Sequence, residues 1–359
     1  MKILIASGTF PPEVSGQAWY VSNLIKRLNS ETKVISYGGQ NKVEGSVTFV
    51  ARDKLRFFNY FKNLSRLSKQ VDLIYAHDLF SSGLPSVLVS KIKSKKIAVR
   101  IGGDFLWEKM VNLGKCKVPL SSYYDKPKSL FEKFYLLIYK FVLSNCDLII
   151  FNTDWQRQLY SKVFKLDLKK TAVIENPIDI SLNTNQSENL EGDIIYAGRL
   201  IPLKNIDKLI NVFKKIKTTK DLFIIGDGPQ KKELEKLADD NEKIKFLGKL
   251  NQKELHEKIS NCYMVVLPSL SELSPNLAYE CLALKKPILL TKEVGFRPEV
   301  KEIFELIDPL SQDDIKDKIE SLLKKENYQS YLDKIKSASF NRGWQEVTQE
   351  HQELFKKLF

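Results

Sequence analysis

Short apolar, β-branched runs recur along this 359-residue chain, each followed by turn formers and then a helical pattern. KILIAS (residues 2–7), TKVISY (32–37), VDLIYAH (71–77), KIAVRIG (96–102) and CDLIIFNT (146–153) read as buried parallel strands, with TAVIENP (171–177) a sixth. Between them lie segments such as Gly16–Leu28, where Val21, Leu24, Ile25 and Leu28 repeat at i, i+3, i+4, i+7 and mark one face of a helix. The rhythm returns with DIIYAGR (193–199), DLFIIGDG (221–228), KIKFLG (243–248), YMVVLPS (263–269) and KPILLTK (286–292). Such alternation predicts an α/β fold with a parallel sheet, here twice. The two series join at residues 176–193, rich in Asn, Ser and turn formers and poor in large apolar residues, which reads as a linker. Residues 1–180 are expected to form one Rossmann-like, doubly wound domain and residues 190–335 a second. The tail, 336–359, carries a helical pattern with no strand after it.

Open parallel sheets bind ligands at the carboxyl ends of their strands, and two in tandem would do so in the cleft between the domains. Candidate chemistry is therefore sought in the loops just after strands. Gly198 and Arg199 end one strand, and Lys204 precedes a helix that begins near Asn205. Two cations beside a helix N-terminus suit a phosphate, although an ordinary charged surface loop reads the same way. After the next strand comes Gly226-Asp227-Gly228-Pro229. Pro229 fits a first helical turn, and the glycines either admit a ligand or form a plain strand–turn–helix joint. The full G-x-G-x-x-G dinucleotide spacing is absent. In SELSPNLAYECLA (271–283), Ser274 is the expected N-cap and Pro275 the first helical residue. The N–H groups of Asn276 and Leu277 then have no intrahelical acceptor and suit a diphosphate. Glu280, about a turn and a half on, can accept from the two hydroxyls of a ribose. Glu272 lies in the loop before the helix.

Arg199, Lys204 five residues later, Gly-Asp-Gly-Pro, FLGKL (246–250), and the step from Glu272 to Glu280 occur in an order that resembles the family 4 retaining glycosyltransferases of GT-B fold. The resemblance implies a second domain that binds a UDP- or GDP-sugar without a metal. Arg199 and Lys204 would neutralise its diphosphate, Glu280 would hold the ribose, and Glu272 would contact the sugar hydroxyls. Lys249 and Leu250 would face the base, and the tail helix would cross back to the first domain. In that first domain, FPPEVSGQAWYVSNL looks like the family's glycine loop, with Ser15-Gly16 in place of the common Gly-Gly, so that Gly16 approaches the donor phosphates. Many members carry a histidine where KIAVRIGGD ends. This chain has Gly102, Gly103 and Asp104 there, and Asp104 either meets the acceptor or sugar or caps the next helix. His77 ends the strand VDLIYAH and is either an acceptor-site residue or a satisfied strand-end histidine.

The charge balance adds a partner. Net charge is +13, yet residues 1–185 hold 28 Lys+Arg against 15 Asp+Glu, while residues 186–359 hold 29 of each. A basic half beside a neutral half points to something anionic. Residues 54–69 and 126–143 mix aromatics with Lys and Arg, as helices lying on an anionic bilayer do; core helices with snorkelling lysines share that pattern, most of all the second. Nucleic acid would share the charge signature, but no recognisable module is present. The three histidines are far apart and no D-x-D occurs, so no metal cofactor is expected. Cys116, Cys146, Cys262 and Cys281 form no C-x-x-C pair and read as reduced thiols. The opening MKILIAS reads as a strand, and no run of about 18 apolar residues exists. A cytoplasmic enzyme is expected, peripheral on the inner face of the cell membrane. It would move a hexose to a glycan or lipid-linked acceptor in cell-surface polysaccharide or glycolipid assembly. A nucleotide-sugar 2-epimerase of the same fold and a non-catalytic basic binding protein are the alternatives. The first would act on donor alone, and the second would bind no nucleotide-sugar.

Overall fold

Fourteen strands are present among the described residues of the computed structural model, which are 1–13, 15–177, 191–239, 241–338 and 342–359. The expected linker thus lies mostly outside them. The strands are β1 (Lys2–Ser7), β2 (Glu31–Gly38), β3 (Lys42–Glu44), β4 (Val47–Ala51), β5 (Leu73–Ala76), β6 (Lys96–Ile101), β7 (Leu148–Phe151), β8 (Thr171–Val173), β9 (Ile194–Ala197), β10 (Leu222–Ile225), β11 (Ile244–Gly248), β12 (Met264–Leu267), β13 (Ile288–Thr291) and β14 (Glu305–Ile307). The first eight form one sheet in the order β3-β4-β2-β1-β5-β6-β7-β8, and the other six form a second in the order β11-β10-β9-β12-β13-β14. All neighbours are parallel except the β3–β4 hairpin on the outer edge of the first sheet. All eleven expected strands form. β3, β4 and β14 were not anticipated; two of them are edge strands, short and exposed enough to lack the long apolar run of a central strand.

The helices are α1 (Gly16–Ile25), α2 (Arg56–Leu67), α3 (Gly83–Lys93), α4 (Phe105–Asn112), α5 (Leu120–Tyr123), α6 (Leu130–Ser144), α7 (Asp154–Phe164), α8 (Ile206–Phe213), α9 (Lys231–Ala238), α10 (Gln252–Ser260), α11 (Asn276–Ala283), α12 (Pro298–Lys301), α13 (Gln312–Leu322), α14 (Lys325–Ser337) and α15 (Trp344–Lys356). Two compact units result, and they do not follow a single cut of the chain. The first comprises Met1–Asp104, Pro127–Pro177 and Arg342–Phe359; the second comprises Phe105–Lys126 and Ile178–Asn341.

In the first unit α15 completes the core. Trp344, Val347 and Phe355 bury against apolar residues of β1, β2, β5 and α1. Polar contacts fix it further: Arg342 pairs with Glu350 at 2.6 Å, and His351 donates from Nδ1 to the Val347 carbonyl at 2.7 Å. That donation leaves Nε2 as the acceptor for the Tyr75 hydroxyl, 2.9 Å away. In the second unit the sheet is covered on both faces, so its strands are buried almost throughout. The segment carrying α4 and α5 belongs to it: α4 packs against the 3-10 turn Pro202–Lys204, and the Leu120 N–H donates to the Ser271 hydroxyl at 2.9 Å.

Candidate active site

The strand order of the second sheet reverses between β9 and β12. At such a switch point neighbouring loops part in opposite directions and leave a crevice at the carboxyl ends of the strands. The loop after β9 carries Gly198, Arg199 and Lys204, and the loop after β12 carries Ser269, Glu272 and Ser274. Tertiary structure therefore brings together residues that are 68 positions apart. The Lys204 ammonium forms a partly buried ion pair with Glu272 Oε1, and the Ser269 hydroxyl donates to the same oxygen at 2.6 Å. Among the described residues Glu272 Oε2 accepts nothing, so one carboxylate oxygen is committed to the lysine and the other is open to a donor. Backbone bonds brace the loop: the Glu272 N–H donates to Glu293, and its carbonyl accepts from Gly295, both at 2.9 Å.

Asn205, for which no role was expected, locks the lysine's turn. It adopts the left-handed conformation at φ 57°, which Asn tolerates better than other side-chain-bearing residues. Its buried amide donates to the carbonyls of Pro268 and Pro309, at 3.0 and 2.8 Å, and so ties the β9–α8 turn to the end of β12. Arg199 is exposed and makes no ion pair among the described residues; its carbonyl accepts from the Tyr196 hydroxyl at 3.0 Å and the Ile201 N–H at 3.1 Å.

One expectation needs correction here. Helix α11 starts at Asn276 with Pro275 in the N-cap position and no side-chain cap, so Ser274 does not cap it. Leu277 follows in the first turn, whose N–H groups still point out of the helix end. Gly228 has two open readings, a ligand against the backbone or a plain strand–turn–helix joint, and its surroundings fit the joint. A Cβ there would sit 2.3 Å from the Leu200 carbonyl oxygen, and its N–H donates to the Asp227 carboxylate. Gly226 is likewise closed over by Gly198, whose oxygen would lie 1.8 Å from an added Cβ. These glycines allow two strand-end loops to pack backbone to backbone.

A second locus lies along α11. Glu280 is largely buried, and burial raises its pKa, partly offset by His256. His256 Nε2 lies 3.5 Å from the carboxylate, at ion-pair distance, and is buried with no hydrogen-bond partner among the described residues. The loop of Lys249 and Leu250, after β11, leads into α10 through a capping box between Asn251 and Glu254, and α10 carries His256 toward Glu280. His256 was missed because a lone helical histidine has no spacing signal.

The first-unit candidates are placed differently. Gly16 opens α1 behind Ser15, which caps the helix, and a Cβ on it would meet nothing within 4 Å. Packing therefore gives no reason for glycine there, unlike at Gly228. His77 is only 6% exposed, packed against Tyr75 and Tyr20, and its Nε2 is buried and unpartnered. Burial, Arg100 and His351 hold its pKa well below the usual imidazole range, so it stays neutral. Asp104 is 1% exposed, accepts from the Tyr160 hydroxyl at 2.8 Å, and directly precedes α4. The Gly103 carbonyl accepts from Gln156 at 3.4 Å. His77 and Asp104 are thus built into the packing rather than displayed on the surface. No group of three or more metal-ligating side chains is found among the described residues.

Sequence and fold are both similar to those of known proteins. The family model for glycosyl transferases group 1 matches residues 180–338, and that for glycosyltransferase family 4 matches residues 14–182. The chain is 24% identical to an uncharacterized glycosyltransferase of Methanocaldococcus jannaschii, covering 100% of this chain and 99% of that one. It is 27% identical to a lipopolysaccharide 1,2-N-acetylglucosaminetransferase of Salmonella typhimurium, covering 51% of this chain and 53% of the other. In three dimensions it is similar to HepE of Anabaena in complex with UDP, with a TM-score of 0.76, 16% identity, and coverage of 99% of this chain and 100% of that one. HepE has also been solved with UDP-glucose.

Proposed function

The chain belongs to the family 4 glycosyltransferases, with the two Rossmann-like units of the GT-B fold, and from that premise we propose that it transfers a hexose from a UDP- or GDP-sugar, with retention and without a metal. One observation carries the reading: the Lys204–Glu272 pair, with Oε2 of Glu272 left open, at the switch point of the second sheet. As the glycosidic bond breaks, negative charge collects on the diphosphate. Lys204, the exposed Arg199 and the first turn of α11 at Asn276 and Leu277 meet that charge and supply what a divalent cation supplies elsewhere. Glu272 Oε2 accepts from a sugar hydroxyl, and Glu280, short of donors, receives the two ribose hydroxyls. The acceptor hydroxyl attacks from the leaving-group side and passes its proton to the departing phosphate oxygen. The UDP and UDP-glucose complexes of HepE favour a uridine donor.

The acceptor is a glycan or lipid-linked sugar, worked on at an anionic membrane face. The lipopolysaccharide enzyme among the relatives supports this, and so does the surface of α6. Its outward face carries Leu130, Phe134, Leu137 and Phe141, all between 41% and 85% exposed, with Lys133 and Lys140 alongside. Such a stripe supports an interfacial helix over a core helix with snorkelling lysines. No helix among the described residues is long and apolar enough to cross a membrane.

Calorimetry with UDP and GDP in the presence of EDTA tests the donor site. We expect the wild type to bind one of them, and Lys204→Ala to weaken that binding about 10- to 100-fold at unchanged melting temperature. Absence of metal-free binding, or full affinity in Lys204→Ala, would overturn the reading.

A further inference from the structure

Two buried deficits face each other in the second unit. On α11, Glu280 is largely buried, and apart from His256 no side chain among the described residues is placed to donate to its carboxylate. On α10, the His256 ring is 14% exposed, yet its Nε2 is sealed from solvent without a hydrogen-bond partner and stands 3.5 Å from Glu280 Oε2. A buried polar atom left unpaired costs free energy, and a histidine that only fills space is normally satisfied. The two helices leave little play. A capping box fixes the start of α10, where the Asn251 N–H donates to Glu254 Oε2 at 2.8 Å and the Glu254 N–H to Asn251 Oδ1 at 3.0 Å. Ile259 of α10 is buried in the core and Leu255 packs against that core, while Ala278, Cys281 and Leu282 bury the inner face of α11. The contrast with Glu272 is direct. Lys204 and Ser269 hold one of its oxygens and so aim the other, whereas Glu280 has a single group that can hold it. A long glutamate side chain loses rotamer freedom when it is fixed, and a carboxylate fixed beforehand by a neighbour binds a ligand without that loss. An ionised carboxylate offers roughly four lone-pair positions, so a donor on Nε2 occupies one and leaves the rest to a vicinal diol.

We propose that His256 is a positioning residue of the donor site: its Nε2–H closes onto Glu280 Oε2 as the ribose enters and holds the carboxylate where it accepts both ribose hydroxyls, so that ribonucleotide donors are selected over 2′-deoxyribonucleotide ones. The inference rests on the reading of Glu280 as the ribose acceptor. Calorimetry on the full chain with UDP and 2′-deoxy-UDP, and with GDP and 2′-deoxy-GDP, tests it. The wild type should prefer the ribonucleotide of the base it binds by about tenfold. His256→Leu keeps apolar bulk but no donor, and should reduce that preference by about threefold or more. His256→Gln, whose amide nitrogen can donate from near the place of Nε2, should keep it within about twofold of the wild type. Should His256→Leu fail to fold, His256→Ala is read in its place. A full preference in the variant without a donor would overturn the positioning role. So would equal losses in the Leu and Gln variants, or a loss of affinity shared evenly by the ribo and deoxy nucleotides, because a purely structural histidine predicts both. Absence of binding or of any preference in the wild type would overturn the ribose reading of Glu280 and this inference with it, which keeps the two failures apart.

Discussion

At the scale of single residues, Glu280 shows most clearly what an ionisable group awaits. Its carboxylate is largely buried with His256 3.5 Å away, and burial outweighs that neighbour, so the acid form is favoured at higher pH than usual. A ribose diol donates two hydrogen bonds to the ionised form and so favours it. By linkage, nucleoside affinity should fall as pH drops through the raised pKa of Glu280. Titration with uridine, which has no phosphate to confuse the profile, should show affinity decreasing toward acid by up to about tenfold per pH unit. Glu280→Gln should be weaker throughout and flat with pH; a pH-dependent Glu280→Gln would remove the assignment. The carboxylates of SELSPNLAYECLA were legible in the sequence as candidates. Their division of labour needed the fold, because Lys204 and Ser269 commit one oxygen of Glu272 while Glu280 receives no such donor.

At the scale of elements, the loops after β9, β10 and β12 work as one braced assembly. Asn205 performs two tasks there: it adopts a left-handed turn and bridges two carbonyls. Asn205→Ala loses both, and should lower stability by about 2–4 kcal/mol in urea unfolding. Asn205→Gly restores the backbone freedom alone and should recover about 1 kcal/mol of that loss. Equal stability of the two variants would show that the turn conformation is not under strain. The strand rhythm and the order of motifs could be read along the chain, since strands buried on both faces must be apolar throughout. The purpose of Gly226 and Gly228 could not: a glycine that admits a ligand and one that admits a neighbouring carbonyl look alike until the neighbour is placed.

At the scale of the molecule, a polar cluster inside the first unit makes its stability depend on pH. His351 is fully buried, and burial lowers its pKa to about 3; His77 is shifted in the same direction. An unfolded chain takes up these protons near pH 6.5, whereas the native state refuses them. Stability from each histidine is therefore complete above about pH 6.5. It declines by about 1.4 kcal/mol per pH unit below that, until the folded pKa is reached, near pH 3 for His351. Thermal unfolding should show a melting temperature that falls steadily from about pH 6.5 to 5, less steeply in His351→Gln; a flat wild-type profile over that range would contradict it. Repeating strands and helices, four ordered motifs and a basic first half were set by the sequence alone, because they depend on local periodicity, spacing and counting. Only the tertiary structure decided that residues 105–126 join the second unit. It also decided that His77 and Asp104 are buried and that α6 turns an apolar stripe outward. Each of these depends on which distant surfaces meet, and the packing of remote segments leaves no periodic trace in the chain.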